Sequence, residues 1–296
     1  MVFRLAALIL ISSGAFAQTP VSKLWEEKTM DRLRAYDGAL DGVLGVAGID
    51  LTDGRVIDYR GGSQFPTASS IKIAVMIRLF RDERAGRFHF SDEVTVQPIG
   101  AIDDSEGPLH ARLKNGPVKM TVREAMEAMM RWSDNAATNR CIELVGMERV
   151  NEGIRELGLR DTHLRRKMMD IAAAREGREN VSTPLEMSRT LEAIYRGRAA
   201  DAASCREMLE LMKTVHAPFM RPAIPAGIEL AAKPGSLDGV KCEAGVVFLK
   251  GRPFAMTVMT AYLDDEKVNP VAGAAKIVFE YFGKLAASNE WGRRLE

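Results

Sequence analysis

Two hydroxyl groups and two lysines, carried by three separate segments, are the residues of this sequence best suited to covalent chemistry. The first segment, FPTASSIKIAVMIRLF at residues 65–80, places Ser69 and Lys72 three positions apart. On a helix that spacing brings two side chains to one face, about 5–6 Å apart between Cβ atoms. Because the rest of the segment is apolar, the lysine is expected to lose hydration, which lowers its pKa and lets it take a proton from a neighbouring hydroxyl. The pattern predicts a serine nucleophile with a lysine as its base.

A Ser-x-x-Lys pair can also occur by chance, since about one such pair is expected in a chain of this length. Two further segments favour chemistry. RWSDNAATN places Ser133 and Asn135 at the break between two helical patterns, and LAAKPGS places Lys233, Gly235 and Ser236 on a predicted strand. Three elements in this order, on a helix, a loop and a strand, are far less probable by accident than any one of them.

The first seventeen residues have the three regions of a secretory signal peptide. Arg4 gives a positive start, Leu5 to Ile11 is an apolar core, and Ala15-Phe16-Ala17 is a cleavage signal. An apolar run this short does not span a bilayer. We therefore expect residues 1–17 to be removed, no stable membrane insertion afterwards, and an exported chain that is periplasmic or secreted.

Charge and composition exclude several classes of partner. Without Arg4, the sequence has 40 basic residues against 40 acidic ones, so it offers no electrostatic basis for binding nucleic acid or an anionic membrane. Only four histidines and three cysteines are present, without the spacing of a metal site. We expect no metal and no cofactor, a monomer, and cysteines that act as small core hydrophobes.

The order of predicted elements indicates an α/β (α+β) fold. A surface helix precedes two apolar runs joined by Asp53-Gly54, a hairpin signal. Residues 65–215 have an almost entirely helical pattern, three β-rich segments follow, and an amphipathic helix closes the chain. Short turns between strands imply one antiparallel five-stranded sheet flanked by helices. We expect one catalytic domain at 18–296, with its sheet part at about 18–64 and 216–296 and its helical part at about 65–215.

The three segments together resemble a known family. Ser-x-x-Lys, Ser-Asp-Asn and Lys-Thr-Gly are the signature of class A β-lactamases and penicillin-binding proteins, and Lys233-Pro234-Gly235 resembles the third of these. FPTASSIK is similar to that family's Phe-Pro-x-x-Ser-x-x-Lys, SDNAATN to its Ser-Asp-Asn-x-x-x-Asn, and VSTPLEM to the start of the helix after its active-site loop. The resemblance covers essentially the whole mature chain and agrees with the predicted order of elements.

The resemblance implies a role for each residue of the acylation centre. Ser69 would attack an activated amide carbonyl while Lys72 takes its proton. Ser133 would pass a proton to the departing nitrogen, and Lys233 would hold Ser133 and attract the substrate carboxylate.

It also implies how the substrate is bound. The backbone N–H groups of Ser69 and Ser236 would form the oxyanion hole beside Gly235, and Asn135 would hydrogen-bond the substrate's amide side chain. Asp134 and Asn139 are expected to brace the loop.

Two positions depart from the family pattern. The family's loop normally carries Glu-x-x-Leu-Asn, whose glutamate activates the water that releases the acyl group. In the loop RRKMMDIAAAREGRENV, Met168 falls at that position. Asp170 is the nearest carboxylate, as a displaced base or as a surface ion-pair partner.

The second departure is Pro234, which replaces the hydroxyl residue of the strand motif. It offers no hydroxyl to a substrate carboxylate and no N–H to a sheet, so it must face the cleft or a sheet edge. Ser236 and Lys241 are the alternatives for carboxylate recognition.

The resemblance implies an exported serine hydrolase of the β-lactamase type that opens β-lactam amides through an acyl-enzyme on Ser69. Its small-molecule substrate would be a β-lactam or a D-Ala-D-Ala-like peptide. Two alternatives use the same centre: a D,D-peptidase or esterase, and a penicillin-binding protein that deacylates slowly.

Overall fold

The structure is a computed structural model that describes residues 21–100, 103, 105–264 and 268–295. The predicted signal peptide, residues 1–17, lies outside the described residues. The helices in the described part are α1 (Val21–Gly38), α2 (Lys72–Arg84), α3 (Pro108–Leu113), α4 (Val122–Arg131), α5 (Asn135–Val145), α6 (Met147–Glu156), α7 (Ile171–Arg175), α8 (Pro184–Tyr195), α9 (Ala202–Lys213) and α10 (Pro270–Ala286). The strands are β1 (Val43–Asp50), β2 (Val56–Tyr59), β3 (Phe65–Pro66), β4 (Glu93–Val96), β5 (Val118–Thr121), β6 (Val181–Ser182), β7 (Leu230–Leu237), β8 (Val240–Val247) and β9 (Phe254–Ala261).

Five antiparallel strands form the main sheet in the order β2-β1-β9-β8-β7. The predicted hairpin is present between β1 and β2, where Gly54 has a φ of 80° that favours glycine. The strands after residue 229 pair in sequence with each other, and β9 pairs with β1. One sheet therefore combines strands from the early and the late part of the chain, and β7 lies at its edge. The α+β fold class predicted from the sequence is confirmed.

Helices cover both faces of the sheet. The helices α1 and α10 pack together over one face, where Leu33, Phe254 and Phe282 are fully buried. The helix α8 lies against the other face and contacts β1, β8 and β9. The helical part packs around α2, whose apolar residues from Ile73 to Phe80 are buried as the sequence predicted. Burial of this helix fixes the position of the turn that precedes it.

The segment predicted as almost entirely helical also contains four short strands. The strand β3 pairs with β6, and β4 pairs with β5. Strands of two to four residues give too few alternating positions to stand out against a helical pattern. A second difference concerns Ser69, whose spacing from Lys72 predicted that both lie on one helix. It lies in a 3₁₀ turn, Ala68–Ile71, and α2 begins at Lys72.

In the described part of the chain, no helix combines the length and the apolar character needed to cross a bilayer.

Candidate active site

The turn before α2 presents Ser69 and holds the adjacent serine in place. Ala68 has a φ of 43°, a conformation that residues other than glycine rarely adopt. The hydroxyl of Ser70 donates to the carbonyl of Thr67 at 2.7 Å, and the backbone N–H of Ser70 donates to the same carbonyl. Ser70 is buried, whereas Ser69 is half-buried. Of the two adjacent hydroxyls, that of Ser69 is the one presented for chemistry.

Lys72 reaches across the helical part to the loop between α4 and α5. It is fully buried, and its Nζ donates to the Ser133 carbonyl at 2.7 Å and lies 3.0 Å from the Ser133 Oγ. The same Nζ donates to the Asn135 Oδ1 at 3.0 Å. Lys72 of the first motif therefore meets two side chains of the second motif, Ser133 and Asn135.

Ser133 is also in contact with the lysine of the edge strand. The Nζ of Lys233 donates to the Ser133 Oγ at 3.0 Å and to the Pro234 carbonyl at 2.9 Å. Ser133 has a φ of 58°, and such strained backbone conformations concentrate at functional sites because the surrounding structure must enforce them. The hydroxyl of Ser133 thus lies between two ammonium groups, and the structure brings together Lys72, Ser133 and Lys233.

The strand β7 approaches the Ser69 turn closely at Gly235. A Cβ added at Gly235 would lie 2.7 Å from the Ser69 nitrogen and 2.8 Å from the Thr67 oxygen. Both are backbone atoms, so only glycine permits this approach. Ser236, the next residue, is exposed at the end of the edge strand. The edge position of β7 also explains how Pro234 is accommodated, because a proline nitrogen there can face away from the neighbouring strand.

Two buried ionisable groups lie near each other on β7 and β8. Burial lowers the pKa of the Lys233 ammonium to about 8, although the nearby Glu243 opposes that shift. Burial likewise raises the pKa of the Glu243 carboxyl to about 8. Glu243 is opposite Pro234 in the strand register and accepts the Met220 N–H. The two groups thus form a buried pair in which each favours the charged form of the other, against the cost of burial.

The loop that follows α6 holds a methionine where the family pattern has a glutamate. Asn139 donates from Nδ2 to the Met168 carbonyl at 3.0 Å, and its Oδ1 accepts the Met168 N–H at 2.8 Å. Met168 is 7% exposed and belongs to the core of the helical part. Asn139 and Asn135 are four residues apart on α5 and so share one face. Met168 is thus held about one helical turn from the Asn135 amide that contacts Lys72.

The carboxylates of this loop are engaged elsewhere. Asp170 is exposed, and its Oδ1 accepts the Ala173 N–H at 3.0 Å as the N-cap of α7. Glu179 pairs with Arg166 at 3.0 Å, and Glu176 pairs with Arg178.

Sequence reasoning missed two polar residues that contact Asn135. The Ser105 Oγ accepts the backbone N–H of Asn135 at 2.9 Å, and the Asp103 Oδ1 accepts from the Asn135 Nδ2 at 3.3 Å. The sequence around these two residues is rich in acidic residues and serine and predicts only a polar loop. The one signal that could have linked it to the site is its position ahead of the Ser133 motif.

An aromatic pair also adjoins the site. Trp132, the residue before Ser133, stacks on His216 with ring centroids 4.8 Å apart. The backbone at Gly107 packs against the indole ring of Trp132. The pair links three loops around the cleft.

The cysteines and the metal-ligating side chains give no further centre. All three cysteines are buried and unpaired, and the Cys242 Sγ lies 2.9 Å from the Thr67 carbonyl, below the nucleophile turn. Across the ranges that the structure describes, no three His, Cys, Asp or Glu side chains are grouped so as to hold a metal ion.

Comparison with known proteins agrees with this arrangement. A model of the beta-lactamase enzyme family matches residues 28–282. A beta-lactamase from Streptomyces fradiae is 30% identical over 265 residues, which cover 84% of each protein. The solved structure of a beta-lactamase from Sphaerobacter thermophilus is 28% identical with a TM-score of 0.75, covering 87% of this chain and 97% of that one.

A second similar structure is of PBP-A, a mutant of which was solved as an acyl-enzyme complex with penicillin G. It has a TM-score of 0.77 over 88% of this chain and 97% of that one, with 22% sequence identity, and shows likeness of fold.

The family match, the relatives and the fold together identify a serine hydrolase of the beta-lactamase class. The chain belongs to the beta-lactamase enzyme family, and the class A resemblance recognised from its motifs is confirmed.

Proposed function

We propose that this protein is a serine β-lactamase-type hydrolase that opens β-lactam amides through an acyl-enzyme on Ser69. The observation that carries the proposal is the position of the Ser133 hydroxyl, 3.0 Å from both Lys72 and Lys233. A hydroxyl between two amines is suited to pass a proton to a leaving nitrogen. The names of the related proteins support a β-lactam as the small-molecule substrate.

Each step of acylation has a residue to perform it. Lys72, in its neutral amine form, takes the proton of Ser69 as Ser69 attacks the carbonyl. The Ser133 hydroxyl, hydrogen-bonded to Lys72, then gives its proton to the leaving nitrogen and receives one from Lys72. The N–H groups of Ser69 and Ser236 stabilise the oxyanion, because Gly235 brings the two backbones together. Asn135 binds the amide side chain of the substrate, and Lys233 attracts its carboxylate.

Release of the acyl group is expected to be slow. A positioned general base contributes about 10²–10⁴-fold to a proton-transfer step, and Met168 cannot act as one. This favours the second candidate, a slowly deacylating penicillin-binding protein or a D,D-peptidase or esterase with the same centre. In this proposal acylation is fast, and the fate of the acyl-enzyme distinguishes the two candidates.

The proposal is tested by mixing the purified mature protein with a chromogenic cephalosporin and recording absorbance and intact mass in parallel. We expect a burst of ring opening with a mass increase for a single covalent adduct. Sustained hydrolysis after the burst identifies a β-lactamase, and a stable adduct identifies a penicillin-binding protein. If there is neither an adduct nor hydrolysis, β-lactams are not its substrates.

Acylation by carboxylate-bearing β-lactams is expected to weaken as the pH rises through about 8. The pKa of Lys233 is lowered to about 8, so its cationic form, which attracts the carboxylate, is lost above that pH. The measurement is the second-order rate constant of adduct formation between pH 6 and 9.5.

A Glu243→Gln variant is the matched control for this profile. Because Glu243 raises the pKa of Lys233, its removal should move the midpoint to lower pH. A rate constant that stays level through pH 9.5 in the native protein would show that Lys233 does not act through its charge.

Three expectations accompany the proposal. Export rests on the signal pattern of residues 1–17, and the monomer and the single domain at 18–296 remain predictions. Size-exclusion chromatography and the N-terminal sequence of the mature protein would check them.

A further inference from the structure

The orientation of the Asn135 carboxamide is fixed from two sides. As an ammonium, Lys72 carries only donors, and the Asn135 Oδ1 accepts from its Nζ at 3.0 Å. On the other side, the Asp103 Oδ1 already accepts from the hydroxyl and the N–H of Ser105, so the atom that faces it at 3.3 Å is the donor Nδ2. A flipped amide would set its NH₂ group against an ammonium and its oxygen against a carboxylate. One orientation is therefore strongly favoured.

Ser105 fixes the backbone of the same residue. Its Oγ accepts the Asn135 N–H at 2.9 Å and donates to the Asp103 Oδ1 at 2.6 Å, while the Ser105 N–H reaches the same oxygen at 3.1 Å. Asn135 begins α5, where backbone N–H groups have no partner within the helix. Ser105 supplies a partner for the Asn135 N–H. Because Ser105 is itself hydrogen-bonded to Asp103, the side chain and the backbone of Asn135 are both connected to the Asp103 carboxylate.

The anchor itself is protected from solvent. The side chain of Asp103 is 4% exposed, and its second oxygen lies 3.7 Å from the His110 Nδ1. A second carboxylate, that of Asp134, lies nearby. Burial raises the pKa of Asp134, and the charge of Asp103 raises it further. Keeping a carboxylate at this position is electrostatically unfavourable unless its hydrogen bonds compensate.

From this geometry we infer that Asp103 and Ser105 are positioning residues that hold the Asn135 carboxamide for substrates with an acyl-amide side chain. The inference rests on the proposed function, in which the Asn135 amide binds that side chain. Loss of the anchor should slow acylation by such β-lactams and spare those without the amide. Asp103 and Ser105 would then set substrate selectivity without contacting the reacting atoms.

The test compares two substrates in each variant. Benzylpenicillin carries an acyl-amide side chain, and 6-aminopenicillanic acid has a free amine in its place. We expect Asp103→Ala to lower the rate constant of adduct formation with benzylpenicillin about tenfold, the typical effect of losing a hydrogen bond to a charged group, and Ser105→Ala to lower it less. The constant for 6-aminopenicillanic acid should change by less than about twofold.

Two controls separate positioning from damage to the fold. Asp103→Asn keeps an acceptor oxygen for the Asn135 Nδ2 and should restore most of the benzylpenicillin rate. Glu106→Ala removes an exposed carboxylate from the same loop and should leave both rates unchanged. Thermal unfolding of each variant checks that the protein is folded.

The outcomes also separate this inference from the proposed function. Equal losses with the two substrates, or no loss in Asp103→Ala, would overturn the positioning role while leaving the acyl-enzyme intact. If the native protein forms no adduct with either substrate, the proposed function fails and the inference fails with it.

Discussion

Replacing Ser69 with alanine is expected to abolish both the covalent adduct and turnover of a β-lactam. Removal of an activated serine costs on the order of 10⁴-fold or more in rate, because the remaining groups stabilise a transition state that no longer has its nucleophile. In this protein, Lys72 and Lys233 would still hold the Ser133 hydroxyl, so substrate binding should survive. The measurement is intact mass after incubation with a chromogenic cephalosporin, together with the initial rate of hydrolysis.

The adjacent serine provides a matched control for this experiment. Ser70 lies in the same turn, but its hydroxyl is bound to the Thr67 carbonyl at 2.7 Å. Ser70→Ala should still form the adduct, with a moderate loss of stability from the buried hydrogen bond. An adduct that persists in Ser69→Ala and disappears in Ser70→Ala would reverse the assignment of the nucleophile.

Replacing Met168 with glutamate is expected to accelerate release of the acyl group about 100-fold, the lower end of the contribution of a general base. Asn139 holds the Met168 backbone through both its N–H and its carbonyl, about one helical turn from Asn135. A carboxylate introduced there would lie near Lys72 and the acyl group, where it could activate a water molecule. The measurement is the lifetime of the adduct by intact mass, with steady-state kcat in parallel.

Met168→Gln is the control, since it has the same shape as the glutamate variant without a base. It should keep the slow release of the native protein while showing whether a polar side chain is tolerated at this buried position. If the glutamate and glutamine variants release the acyl group equally fast, added polarity and not base catalysis explains the gain. If the native protein already turns over as fast as the glutamate variant, another group performs deacylation.

Much of the fold could be predicted because the sequence patterns are long and consistent. The hairpin at Asp53-Gly54, the three strands after residue 229 and the buried helix after Ser69 each have a clear period or turn signal. At the start of α4, Thr121 and Glu124 have the sequence spacing of a capping box and form one in the structure. The pairs β3–β6 and β4–β5 were missed because each strand has four residues or fewer.

The members of the candidate site were predictable from motifs, but their anchoring was not. Residue types identify Ser69, Lys72 and Lys233, whereas the positive φ of Ser133 depends on the tertiary contacts that enforce it. Asp103 contacts Asn135 from 32 positions away, and nothing in the local sequence specifies such a pairing. The 3₁₀ turn at Ser69 depends likewise on its contacts with β7.

The proline of the edge strand has a consequence for the size of the substrate. An extended peptide that binds to a sheet edge gains affinity from successive backbone hydrogen bonds, and Pro234 removes one of the donors that β7 would offer. A compact bicyclic amide has little backbone to align with the strand, so the missing donor lowers its affinity only slightly. We therefore expect the edge of β7 to align an extended peptide less well than a small, rigid ring system.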